Sequence, residues 1–193
     1  EWQFLGDLQP KMLNFLENHD EVRIASDFYQ GSGRRGLAPL AVSLLFNTAP
    51  FMLYFGQEYG ERGMLQEGYS GLDGRTSIYD WCCLSGERDE ALYERYRQLT
   101  ALAADPVFAQ GKTYDLMWLN SAVDHFDAAR QFAFMRSYDG RGALVVANFA
   151  PAAVDIRLNI TDEVFSHLDI PKREEYFKTI HIEAFDAAII ICE

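Results

Sequence analysis

Met12-Leu13-Asn14-Phe15-Leu16-Glu17-Asn18-His19-Asp20 is an apolar run with one internal polar position before it ends abruptly in charged and polar groups: an amide, an imidazole and a carboxylate. Such runs mark strands buried on both faces, and those strands belong to parallel sheets covered by helices. In barrels and open α/β sheets, the groups that meet a ligand project from the carboxyl ends of parallel strands. The run therefore puts Asn18, His19 and Asp20 where chemistry is expected.

Working outward, the stretch after Asp20 is polar and carries Arg23, Arg34 and Arg35 among Gly31, Gly33 and Gly36. It lacks the Gly-Lys-Ser/Thr ending of a phosphate-binding loop. Leu37, Leu40, Ala41, Leu44 and Leu45 then recur at helical spacing, with Pro39 tolerable in the first turn. Asn47-Thr48-Ala49-Pro50 breaks that helix, and Phe51-Met52-Leu53-Tyr54-Phe55 forms a second continuous apolar run, stopped by Gly56. Strand, helix, strand in this order implies two parallel strands joined by a crossover. Two such strands need neighbours and covering layers, so the sequence predicts an incomplete sheet with open edges and residues missing upstream.

Residues 57–81 read as a long loop rich in glycine, charge and aromatic rings, and loops of that length are functional or disordered. Tyr69, Tyr79 and Trp81 either pack this loop or stack on a ligand. A helix is predicted over 89–105, with Leu92, Tyr96, Leu99 and Leu102 on one stripe and Asp105-Pro106 ending it. From Lys112 the dominant period is two, most clearly in Val154, Ile156, Leu158 and Ile160. Asp139-Gly140 between apolar runs signals a tight hairpin, and further strands are expected over 113–119, 176–182 and 185–192, with Trp118 in the core. The fold class is thus α/β followed by all-β, an α/β part over 1–111 and a small antiparallel β-sandwich over 112–193.

The 193 residues include 49% hydrophobic and 14% aromatic side chains, enough for packed cores. With 17 basic against 29 acidic residues the net charge is -12, which argues against nucleic acid and anionic membranes as partners. No apolar run approaches a bilayer span, and the first residues lack a signal-peptide pattern. Cys82, Cys83 and Cys192 read as free thiols, and with His19, His125, His167 and His181 scattered there is no spaced ligand pair. No metal or cofactor is expected.

Taken alone, Asn18, His19 and Asp20 have two readings. They cap a loop or a helix, or the carboxylate beside the imidazole hydrogen-bonds two neighbouring hydroxyls, as a sugar ring presents them. Such contacts strengthen in an oxocarbenium-like transition state. A serine or cysteine triad finds no support, because the nucleophile elbow Gly-x-Ser-x-Gly is missing.

Phe15-Leu16-Glu17-Asn18-His19-Asp20 resembles the fourth signature region of the alpha-amylase family of glycoside hydrolases, at the end of the seventh barrel strand. Pro50-Phe51-Met52-Leu53-Tyr54-Phe55-Gly56-Gln57-Glu58 is similar to the eighth strand, and Gly74-Arg75-Thr76-Ser77-Ile78-Tyr79-Asp80-Trp81 to the loop after it. Val145-Val146-Ala147-Asn148-Phe149 looks like part of the family's carboxyl-terminal sandwich. The resemblance implies the last two β/α units of a (β/α)8 barrel plus that sandwich, from a retaining enzyme on α-glucosidic bonds of α-glucans or malto-oligosaccharides.

Of the family's three carboxylates only the transition-state stabiliser maps here, onto Asp20. His19 corresponds to the sugar-binding histidine, and Asn18 to the residue that shapes the strand end. The nucleophile and acid/base belong to barrel strands that precede this sequence. Glu17 and Glu58 do not replace them, Glu58 being expected in a structural salt bridge, and Arg34, Arg35 and Arg75 are expected to be solvated or paired with acids. The isolated chain is accordingly expected to be inactive, with its open edge covered by the missing barrel segment or by self-association. Rival readings are a transglycosylase or debranching enzyme of the same family, and a non-catalytic carbohydrate-binding or structural module.

Overall fold

The computed structural model describes residues 5–64, 74–77, 79–80, 88–122 and 124–193. Strands β1 (Asn14–Phe15) and β2 (Phe51–Met52) run parallel, Asn14 opposite Phe51 and Phe15 opposite Met52, joined through helix α1 (Leu37–Leu45). The sequence predicted this unit correctly. It overestimated the strand and its burial, however: Met12, Leu13, Phe15 and Leu53 are each 40% exposed or more. Among the described residues β1 and β2 form a sheet of two strands only, so these side chains meet no covering layer. The inner positions of β1 serve α1 instead, Asn14 Nδ2 donating to Ser43 O (3.1 Å) near the helix end.

Helix α2 (Glu90–Ala103) opens on Asp89, whose carboxylate accepts from Leu92 N. Capping by a short acidic side chain satisfies an otherwise orphaned amide. The expected stripe is buried at Leu92, Tyr96 and Leu99 and half-buried at Leu102. Asp105 repeats the device for the single turn α3 (Pro106–Ala109), accepting from Val107 N (2.9 Å).

Strands β3 (Lys112–Asp115), β4 (Gln131–Tyr138), β5 (Arg141–Asn148) and β8 (Ala187–Cys192) form an antiparallel sheet in the order β3-β4-β5-β8. The β4–β5 turn has positive φ at both Asp139 (49°) and Gly140 (77°), the geometry that Asp-Gly favours. A second antiparallel pair, β6 (Val154–Ile156) with β7 (Ile180–Ile182), and helix α5 (Asp162–Leu168) complete this region.

The four-stranded sheet is apolar on both faces. Phe134, Ala143, Val145 and Ala147 pack on α1, α2 and α3 through Leu40, Leu45, Leu99 and Phe108. The alternate positions Ala133, Met135, Leu144 and Val146 pack on Ile156, Val164, Leu168 and Ile182. A strand serving two cores reads as a continuous apolar run, which is why Ala143 to Ala147 shows no alternation. The first core therefore contains residues from both sides of position 111.

A buried cation ties these parts together. Arg136 on β4 is 0% exposed and donates to Leu45 O (3.0 Å), Phe108 O (2.7 Å) and Gly111 O (2.8 Å), carbonyls at the ends of α1 and α3. Burial lowers its pKa to about 10.

Several expected strands are shorter than predicted. The stretch 113–119 is β3 followed by the helical turn α4 (Met117–Asn120), because Asp115 Oδ1 accepts from Met117 N (2.8 Å), turns the chain out of the strand and changes the period. Trp118 is consequently on the outside, 60% exposed, and not in the core. In 154–160 only β6 pairs with another strand, although Leu158 and Ile160 remain buried. The buried amide of Asn120 stands in for a strand neighbour there, accepting from Asn159 N (2.8 Å) and donating to Asn159 O (3.1 Å). Residues 174–177 form a turn, leaving β7 three residues long.

Candidate active site

Beyond β1 the chain buries Glu17, turns back through Asn18 to Glu21, and buries Arg23 and Ile24. Asn18 Oδ1 accepts from the backbone amides of Asp20 (2.8 Å) and Glu21 (3.0 Å), so its side chain shapes the turn. His19 and Asp20 stand on the outside, with 67% and 73% of their side chains exposed and His19 Nε2 3.5 Å from Asp20 Oδ1. Of the three residues that the sequence singled out, Asn18 is bound to the turn's own backbone, while His19 and Asp20 face outward.

Beneath them lies an ion pair that sequence reasoning missed. Glu17 Oε1 accepts from Ile24 N (2.6 Å), and its Oε2 is 3.0 Å from Arg23 Nε, an ionic contact without hydrogen-bond alignment. Arg23 also donates to Thr76 Oγ1 (3.1 Å) and Phe55 O (2.7 Å), and its guanidinium lies over the rings of Tyr54 (4.9 Å) and Phe55 (5.3 Å). Burial raises the Glu17 pKa, opposed by the Arg23 charge and the Ile24 amide. The signal available in sequence was a lone arginine between apolar Val22 and Ile24.

The loop 74–76 is fastened to the same place. Arg23 N donates to Gly74 O (2.9 Å) and Tyr54 Oη to Thr76 O (2.9 Å). Gly74 has φ +78°, and a Cβ there would fall 2.0 Å from Ser26 Oγ, so glycine is required for the approach. Gln57 Nε2 donates to the Tyr96 hydroxyl (3.1 Å), fixing the turn after β2 onto α2.

Glu58 is half-buried, and among the described residues it has no cation partner, contrary to the expected salt bridge; its Oε2 is buried without a hydrogen bond. The ion pair belongs to Glu17 instead. Arg34 pairs with Asp89 through two 3.1 Å contacts and Arg35 lies over the Phe185 ring, so neither faces the turn as a free cation. Tyr79 is 65% exposed, while Tyr69, Trp81, Cys82 and Cys83 lie outside the described residues. Among the described residues no three His, Cys, Asp or Glu side chains converge as metal ligands, and no helix is long and apolar enough to cross a membrane.

No protein-family model and no curated protein sequence matches the chain. Solved structures do. AmyP in complex with maltose has 18% identity and a TM-score of 0.62 over 98% of this chain. The cyclic α-maltosyl-(1→6)-maltose hydrolase of Arthrobacter globiformis, ligand-free, has 22% identity and a TM-score of 0.58 over 94%. The alpha-amylase of H. orenii has 21% identity and a TM-score of 0.59 over 94%. The chain spans 43%, 35% and 40% of these proteins respectively, less than half of each. These three structures are of enzymes of the alpha-amylase family.

Proposed function

We propose that the chain is the carboxyl-terminal part of a retaining alpha-amylase-type glycoside hydrolase acting on the α-glucosidic bonds of starch-like glucans or malto-oligosaccharides. Residues 1–111 supply the last two β/α units of its (β/α)8 barrel and residues 112–193 its β-sandwich. The observation that carries this reading is the exposed Asn18-His19-Asp20 turn at the carboxyl end of β1, held over a buried ion pair. Asp20 stabilises the positive charge that develops as the glycosidic bond breaks, His19 donates to a sugar hydroxyl, and Asn18 keeps the turn in shape. The nucleophile and the acid/base come from barrel strands outside this chain. Those strands cover Met12, Leu13, Phe15 and Leu53, and in the isolated chain self-association takes their place.

The test has two arms. The isolated chain is expected to release no reducing ends from soluble starch, because one carboxylate cannot act as both nucleophile and acid/base. In the complete enzyme Asp20→Asn is expected to lower kcat by orders of magnitude at unchanged Tm, since asparagine keeps the shape and loses the charge. Turnover by the isolated chain that vanishes with Asp20→Ala would overturn the first expectation. A normal kcat with a lowered Tm would remove Asp20 from the chemistry.

A further inference from the structure

We propose that the buried Glu17–Arg23 pair is the device that positions Asp20, and that Arg23 is a positioning residue for the reaction; the inference rests on the reading of Asp20 given above. Asp20 is 73% exposed, and its side chain's ionic neighbour is His19 at 3.5 Å, itself exposed. Among the described residues no other side chain forms an ion pair with the carboxylate. Its place is set by the backbone of the turn, which Asn18 shapes from within and which one pair of side chains fastens at both ends. At the near end stands Glu17, and at the far end are Arg23 and Ile24, whose amide Glu17 accepts at 2.6 Å.

The pair is an expensive way to pack a loop. Each buried ion loses several kcal/mol of hydration, and apolar side chains of similar volume give equal or greater stability in many proteins. An apolar pair, however, could not supply direction. The guanidinium reaches Phe55 O after β2 and Thr76 Oγ1 in the following loop, while Arg23 N bonds Gly74 O. Three segments are thereby set in one register beneath the turn. A planar fork is suited to this because its donors keep fixed mutual angles. Charge stabilisation in a reaction demands placement within about 0.5 Å, and a displacement of about 1 Å costs roughly a hundredfold in rate.

The experiment is a double-mutant cycle in the complete enzyme on soluble starch, reading kcat, KM and Tm. Arg23→Met is expected to lower kcat about a hundredfold, and Arg23→Lys about tenfold, with KM little changed. On an Asp20→Asn background the same substitutions are expected to cost nothing further, because Arg23 acts through Asp20. If Arg23→Met fails to fold, Arg23→Lys carries the test, keeping a charge opposite Glu17 while losing the fork. An equal loss of kcat on both backgrounds, or a lowered Tm with unchanged kcat, would overturn the inference and leave the reading of Asp20 standing. Asp20→Asn without effect on kcat would remove that reading, and the inference with it.

Discussion

Replacing Arg136 by methionine tests whether the buried cation holds the sheet to the helices. The guanidinium makes three bonds to backbone carbonyls, at Leu45, Phe108 and Gly111. Bonds from a charged donor contribute about 1.5 to 3 kcal/mol each, or about 4.5 to 9 for three. Against this stands the burial of the charge, which brings the pKa down to about 10 and corresponds to about 3 kcal/mol. The difference is about 2 to 6 kcal/mol in favour of arginine. Replacing a buried ion by an apolar side chain is harmless when both partners change together, but here the acceptors are main-chain atoms and cannot be changed. Those of Leu45 and Phe108 would be left buried without this donor. Urea unfolding of the chain should show a lower midpoint for Arg136→Met at unchanged slope, with Arg136→Lys between the two. A Met variant as stable as the parent protein would refute the argument, because the carbonyls would then have found other partners at no cost.

Asn120→Leu should lose about 2 to 4 kcal/mol in the same unfolding experiment, since it strands the amide and carbonyl of Asn159; limited proteolysis should then cut first near residues 157–161. His181 is exposed, and its hydrogen bond to Asp155 Oδ1 (2.8 Å) raises its pKa, with Glu183 adding to the effect. A raised folded-state pKa contributes stability that is fully present below the unfolded value near about 6.5 and is lost as pH rises through the folded one. The imidazole resonance of His181 should therefore titrate above the free value and move back toward it in Asp155→Asn, with Glu183 keeping part of the shift, and His181→Gln should reduce stability only on the acid side.

Local rules carried much of the fold. The helical spacing of Leu37 to Leu45, the stripe from Leu92 to Leu99 and the positive φ demanded at Asp139-Gly140 each depend on neighbours in sequence, and each element appears where it was expected. The turn at Asn18 was legible for the same reason. Arg23 was not, because its partners Phe55 and Thr76 are brought to it only by the completed fold. Trp118 misled because a side-chain turn at Asp115 replaced strand by helix within two residues. Helix α5 did carry a signal that went unread: acidic Asp162 and Glu163 in its first turn, then Val164, Phe165 and Leu168 on one face.

The two-faced sheet has a consequence for inheritance. A sandwich whose outer faces are polar can be moved by recombination from one protein to another as a cassette, since nothing on its surface asks for a particular neighbour. Here Phe134, Val145 and Ala147 look outward from the sheet onto α1, α2 and α3, and Arg136 takes its acceptors from the ends of those helices. A gene segment that carried the strands away without the helices would present an oily surface and a stranded guanidinium to water. The helical surface and the sheet must therefore change together, and substitutions at Leu40, Leu99 or Phe108 are answered, if at all, by substitutions on β4 and β5.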